Sequence, residues 1–164
     1  MSLTVKITAP IFQNLSDLKK EYGFNELGLA VSGGSDSLAM LYICNDWALK
    51  NEVKLHCITV DHKLRSESAK EAKLVANHCS GLGINHEIVE WKHEENIGGN
   101  LSDLARSARY ELIDKWRKEL SFVLVGHTQN DQIETFFMNL KRGSGIEGMK
   151  GMPLSFWRPE GYYI

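Results

Sequence analysis

Six consecutive residues, Ser32, Gly33, Gly34, Ser35, Asp36 and Ser37, combine two glycines, three hydroxyls and one carboxylate between an apolar run and a helical pattern. Glycines can adopt positive φ and let a ligand approach the backbone, and the first amides of a following helix have no acceptor within it. With the helix dipole behind them, those amides and the serine hydroxyls suit a phosphate group. The loop lacks the lysine of G-x-x-x-x-G-K-S/T and the three-glycine dinucleotide fingerprint, which excludes both of those nucleotide-binding classes. Asp36 is the odd member, an acid in a loop suited to an anion. Any one of these residues also fits a plain tight turn with a Ser or Asp N-cap, but six together at a strand end fit it poorly.

Other polar groups recur where apolar runs end. Asp61, His62 and Arg65 stand in VDHKLRSES, and His127, Asp131 and Glu134 in GHTQNDQIET at residues 126–135. Ile133, Phe136, Phe137 and Leu140 mark the buried face of a following helix, and Asp131 and Glu134, three apart, can act together. Arg106 and Arg109, one turn apart in NLSDLARSARYELI, lie off an apolar stripe and offer forked, permanently charged donors to a phosphate. Each has a structural alternative when taken singly. Asp131 can close a capping box begun by Thr128, Glu134 can be a solvated helix residue, His127 a turn residue, and the arginines a solvated basic face. Their convergence with the phosphate-type loop favours a site.

The elements that must position these groups alternate along the chain. Leu27 to Val31, Val53 to Val60, Ile84 to Trp91 and Phe122 to Val125 read as β runs, with helical patterns between and after them. This order implies an α/β fold, a doubly wound, mostly parallel five-stranded sheet with helices on both faces, the fifth strand falling in the terminal GYYI. The first of these helices runs from Leu38 to about Lys50. The next is expected to begin near Ser68 with a capping box to Glu71, to turn Ala69, Ala72, Ala76 and Cys79 inward, and to stop at Gly81. A third is expected from Leu101 to about Leu120, with Leu101, Leu104, Ala105, Ala108 and Leu112 as its apolar stripe. The segment from Lys92 to Asn100, polar with two glycines, reads as a long loop. In such sheets ligands bind outside the carboxyl ends of the strands, where the polar groups lie.

A length of 164 residues suits one well-buried domain, and a net charge of -2 provides no broad basic field of the kind a general nucleic-acid binder carries. The three cysteines, Cys44, Cys57 and Cys79, have no C-x-x-C spacing and fall in apolar patterns, as reduced core residues do. With no signal peptide and no membrane-spanning run, the chain reads as cytoplasmic, without a membrane partner.

Residues 32–37 resemble the SGGxDS loop of the ATP pyrophosphatase (PP-loop) superfamily, whose enzymes split ATP between the α and β phosphates and adenylate a substrate oxygen. This resemblance accounts for Asp36, since a carboxylate beside pyrophosphate is tolerable when Mg²⁺ lies between the charges. Taken together and in order, AVSGGSDSLAML, VDHKLRSES, LGINHEIVEW, NLSDLARSARYELI, GHTQNDQIETFFMNLKRGSGIEGMKGM and PLSFWRPEGYYI resemble the catalytic domain of the tRNA(Ile)-lysidine synthetase family, from about Leu27 onward. Many members carry two adjacent acids after the histidine where this chain has Asn130 and Asp131.

The resemblance implies an adenine nucleotide alpha hydrolase-like fold and two substrates besides ATP, namely tRNA(Ile) with a CAU anticodon and free L-lysine. ATP adenylates the C2 oxygen of the wobble cytidine, and the lysine ε-amine then displaces AMP to give lysidine. It further implies that Ser32, Gly33, Gly34, Ser35, Asp36 and Ser37 bind ATP, that Asp36 takes part in Mg²⁺ binding, and that Asp61 and His62 lie near the adenosine. His127 and one of the arginines, Arg106 before Arg109, would contact the reacting phosphate, and Asp131 and Glu134 would handle the lysine. Lys141 and Arg142 before Gly143 resemble the family's basic loop, although a cation-stabilised helix end explains them equally. On the same basis residues 1–164 form the PP-loop catalytic domain without the C-terminal tRNA-binding domains of longer members, and a homodimer is compatible with it. The rival readings are a tRNA-thiolating enzyme of the same superfamily, for which the cysteines are badly placed, and a nucleotide-binding module without catalysis.

Overall fold

The computed structural model describes residues 3–63, 67–92, 101–126, 156–158 and 161–163. The expected β runs form β1 (Glu26–Ala30), β2 (Lys54–Asp61), β3 (Asn85–Glu90) and β4 (Phe122–Val125), of which β1 and β4 are mainly apolar and buried and β3, at the edge of the sheet, is polar and largely exposed. Buried parallel strands are covered on both faces, so they read as uninterrupted apolar stretches. The helices between them are α2 (Ser35–Asn51), α3 (Ser68–Leu82) and α4 (Leu101–Arg117). Two short strands, β5 (Phe156–Arg158) and β6 (Gly161–Tyr163), complete the described residues.

One sheet joins them in the order β3-β2-β1-β4-β6-β5. Neighbours from β3 to β6 pair in parallel, and β5 pairs antiparallel with β6. The four expected β runs pair in parallel. The sheet has six described strands rather than five, because FWR folds back on GYY, and three residues are too few to show a strand period in sequence. The chain winds outward from β1 through β2 to β3 and then crosses to β4 on the other side of β1. That crossing makes a topological switch point at the carboxyl ends of β1 and β4.

The two faces carry separate cores. Leu27, Leu29, Leu55 and Cys57 of the sheet pack with Leu41, Cys44 and Trp47 of α2 and Val75 and Cys79 of α3. Ile58 and Val123 on the opposite face pack with Tyr110 and Ile113 of α4 and with Tyr163 of β6. An additional helix, α1 (Leu3–Tyr22), precedes β1 and contributes Leu15 to the first core. Trp47 Nε1 donates to Ser16 Oγ at 2.9 Å, which fixes α1 to α2. Among the described residues no helix is long and apolar enough to cross a membrane.

The expectations for α3 and α4 need correction. The N-cap of α3 is Glu67 rather than Ser68, which is the first helical residue, and α3 runs past Gly81 to a left-handed C-cap at Gly83. Its buried residues are Ala72, Val75 and Cys79, whereas Ala69 is exposed and Ala76 half-buried. The face of α4 is also rotated. Leu101 and Leu104 are about two-fifths exposed, whereas Tyr110, Ile113 and Arg117 are buried beside Ala108, because the Leu120 and Ser121 carbonyls of the following turn accept from Arg117 and Tyr163 of the C-terminal hairpin packs on Tyr110.

Candidate functional site

The strand-to-helix turn after β1 is held by its own side chains. Ser37 is buried and its Oγ donates to the Gly34 carbonyl at 2.9 Å while accepting from the Gly33 amide and Ser32 Oγ, each at 3.2 Å. Gly33 has φ +96°, and a Cβ there would lie 3.0 Å from Glu71 Cβ, so both the backbone angle and the space demand glycine. Gly34 takes ordinary extended angles as the N-cap of α2, so the expected positive φ is confined to Gly33. Leu38 N donates to Gly34 O at 3.0 Å, which leaves the amides of Ser35, Asp36 and Ser37 ahead of the first intrahelical bond. Ser35 and Asp36 are exposed in this first turn, with Ser35 Oγ 3.4 Å from Asp36 Oδ1.

Ser37 therefore closes the loop more than it presents a hydroxyl to solvent. Replacing it with Ala removes one donor and one acceptor and leaves the Gly33 amide and Gly34 carbonyl without this partner. The expected cost is about 1–3 kcal/mol of unfolding free energy, read from urea denaturation. An unchanged midpoint would show that the turn holds without the clasp.

The end of β2 supplies the next groups. Thr59 Oγ1 donates to the carbonyl of Val31, the last residue before the loop, at 2.8 Å, and His86 Nε2 lies 2.9 Å from the same oxygen. Ile58, Val60 and His62 alternate onto the α4 side, where His62 Nε2 accepts from Arg109 Nε at 3.3 Å and its ring meets Trp91 edge-on at 5.9 Å. Asp61 turns elsewhere. It is buried, and its Oδ1 accepts from the Lys63 amide at 2.9 Å, closing a turn in which Lys63 takes φ +51°.

These parts meet around one cavity of about 510 Å³, within the roughly 300–1,000 Å³ of small-molecule sites. Ala30, Val60 and Val125, at the ends of three neighbouring strands, give it an apolar floor. Ser32 and Ser37 border it from the loop, His62 from β2, and Arg106 and Arg109 from α4. Phosphate-type donors, two guanidinium groups and an imidazole thus share one apolar-floored space at the switch point, a composition suited to a nucleotide. Ser68 and Glu71 also line it, and the sequence reading assigned them to a helix cap. Their position at the start of the helix that follows β2, hence at the ligand-binding end of the sheet, was the available signal.

Gly33, Gly34, Ser35, Asp36 and Asp61 are predicted site residues that do not line this cavity, and Asp61 Oδ1 accepts from the Lys63 amide. Arg65, His127, Asn130, Asp131, Glu134, Lys141 and Arg142 lie outside the described residues, as do residues 93–100 of the expected loop. Cys44, Cys57 and Cys79 are all free and buried, none of them lines this cavity, and burial pushes the Cys44 thiol up to about 12.

Comparison with known proteins agrees with this geometry. The profile of a family described as "PP-loop domain" matches residues 7–163. The chain belongs to the PP-loop family. It is 41% identical over 146 residues to a tRNA(Ile)-lysidine synthase of Wolbachia pipientis wMel, an alignment covering 87% of this chain and 33% of the relative. It is 47% identical over 128 residues to the tRNA(Ile)-lysidine synthase of Ruegeria pomeroyi, covering 77% of this chain and 30% of that one. The chain therefore spans about a third of the length of the curated relatives it matches. Among solved structures, the U34-tRNA thiolase NcsA from Methanococcus maripaludis superposes with a TM-score of 0.72 at 21% identity, over 85% of this chain and 50% of that one. That likeness is one of fold.

Proposed function

We propose that this PP-loop chain uses ATP to form lysidine at the wobble cytidine of tRNA(Ile) with a CAU anticodon. The observation that carries the reading is the common cavity, bordered by the phosphate-type loop on one side and by Arg106, Arg109 and His62 on the other. The named relatives supply the chemistry, since both are tRNA(Ile)-lysidine synthases.

The loop amides and the α2 N-terminus hold the polyphosphate, with the β and γ groups against Ser35 to Ser37. The apolar floor and His62, itself oriented by Arg109, receive the adenosine. The C2 oxygen of the cytidine attacks the α phosphorus, a Pα–O bond to pyrophosphate breaks, and Arg106 offsets the charge growing on the phosphoryl oxygens. The ε-amine of lysine then attacks C2, and AMP leaves with the former C2 oxygen. That amine must first lose a proton. Asp131 and Glu134 are proposed to hold the ammonium group and accept it, and His127 to contact the reacting phosphate.

The donor set fits a hard divalent cation. Asp36 is an exposed carboxylate in the first turn beside the loop, and Mg²⁺ is held by one or two carboxylates together with phosphate oxygens. When bound, the ion would neutralise charge on the departing pyrophosphate. Among the described residues no group of three or more His, Cys, Asp or Glu side chains forms a protein-only metal cage.

The test combines pyrophosphate release with product analysis, using ATP, Mg²⁺, lysine and the tRNA(Ile) transcript. Release that depends on the transcript, with labelled lysine entering the tRNA, is the expected result. ATP binding without release would favour a nucleotide-binding module. Thiolated tRNA formed in a parallel reaction with sulfide in place of lysine would favour thiolation.

A further inference from the structure

The buried ring of Tyr110 sits beside two guanidinium groups. Arg106 Cζ is 5.7 Å from its centroid and Arg158 Cζ is 5.5 Å away, both within the range of cation–π attraction. Arg106 precedes Tyr110 by one helical turn and lines the nucleotide cavity, whereas Arg158 belongs to β5 of the C-terminal hairpin. The hairpin is tied to α4 at Asp114, a carboxylate one turn beyond Tyr110 whose side chain is 6% exposed. Asp114 Oδ2 accepts from Arg158 Nε at 2.6 Å, and its Oδ1 accepts from the Tyr163 hydroxyl. Tyr163 in turn meets the Tyr110 ring edge-on at 5.2 Å and 88°.

Two cations beside one ring repel each other unless one of them is compensated. Asp114 compensates Arg158, and the ring restrains the stem of Arg106, which lines the cavity. An arginine that floats must lose rotamer freedom when it meets a phosphate, whereas one already held against a ring loses less. We propose that Tyr110 is a positioning residue for Arg106, and that Arg158 and Tyr163 fix Tyr110, so that the placement of the cavity arginine depends on the C-terminal hairpin. The inference rests on the reading of the cavity as the ATP site.

The test is a double-mutant cycle on ATP affinity and on single-turnover pyrophosphate release with the transcript. It compares Tyr110→Met, Arg106→Ala and the pair. Tyr110→Met keeps an apolar side chain of useful bulk and removes the ring. Its expected effect is a loss of about three- to thirtyfold, the size of a partly desolvated cation–π contact. The loss should fall more on the release rate than on the Kd. Tyr110→Phe keeps the ring and should stay within about twofold of the parent.

In the Arg106→Ala background, Tyr110→Met should cost nothing further, because its effect passes through the arginine. A residue that only stabilises the fold would add its full penalty in both backgrounds, and that additivity overturns the proposal. Should Tyr110→Met fail to fold, Arg158→Gln supplies the second arm, since that side chain is one-third exposed. Arg158→Gln should slow release in the parent and leave Arg106→Ala unaffected, and equal losses in both backgrounds again overturn the proposal. Product analysis separates this inference from the proposed function. Non-additive coupling without lysidine formation would sink the reaction assignment and leave the positioning role standing.

Discussion

Replacement of Asp36 by Ala should lower transcript-dependent pyrophosphate release by about a hundred- to a thousandfold, the usual effect of removing one charge-stabilising group from a phosphoryl or acyl transfer site. The fold should survive. Asp36 is exposed, and the turn around it is closed by Ser37 and Gly33 through bonds that do not involve its carboxylate. Its contribution to stability is confined to the favourable placement of a negative charge in the first turn of α2, about 0.3–1 kcal/mol. The Mg²⁺ concentration for half-maximal release should rise in the same variant, because one protein ligand is gone and only phosphate and water oxygens remain. A near-normal rate at the parent's Mg²⁺ requirement would remove Asp36 from the cation site and leave it as a helix-terminal charge.

The contrast between Asp36 and Ser37 shows what the sequence could and could not separate. Both stand in one six-residue motif that composition alone marks as a phosphate loop. Only the hydrogen bonds divide them, with Ser37 turned inward as the clasp and Asp36 left at the surface. Asp61 teaches the same lesson from the other side. Its place at the end of β2 is legible, but the hydrogen bond that its Oδ1 accepts from the Lys63 amide goes with the left-handed angle at Lys63, which no periodicity reports. His62 and the two arginines were legible because the carboxyl edge of a doubly wound sheet is a narrow place and these residues had to stand near it.

The strands were readable for a related reason. Val123 and Leu124, like Leu27 and Leu29, are buried from both faces and carry no polar interruption. α1 passed unnoticed although Phe12, Leu15 and Leu18 share a helical spacing, because Pro10 stands within the element and reads as a breaker. The face of α4 was misjudged because pattern reading counts arginine and tyrosine as surface. Here Arg117 Nε and Nη2 donate to the Leu120 and Ser121 carbonyls, and the leucines at the start of the helix remain at the surface.

Arg117 is the strongest case, and it predicts a large loss of stability. Its side chain is 1% exposed at the end of α4. Nε donates to the Leu120 carbonyl at 2.9 Å and Nη2 to the Ser121 carbonyl at 2.6 Å, so the guanidinium closes the turn leading into β4. Asp114 lies 4.0 Å away, and the Tyr163 ring centroid is 5.0 Å from Cζ. The hairpin is shaped around this group, since a Cβ on Gly161 would come within 2.5 Å of Nη2. Arg117→Met keeps the stem and removes the charge and the donors. It leaves two carbonyls short of a partner and Asp114 with less compensation, so the expected cost is about 3–5 kcal/mol. For a domain of this size that corresponds to a melting temperature lower by roughly 6–20 °C. Arg117→Lys should recover part of the loss, because it restores a charge but cannot reach both carbonyls with one fork. The measurement is urea unfolding of all three proteins, with the slope checked so that a change in midpoint reads as stability alone. If Arg117→Met loses less than about 1 kcal/mol, the buried guanidinium is replaceable packing, and the hairpin must be held to α4 by Asp114, Arg158 and Tyr163 without it.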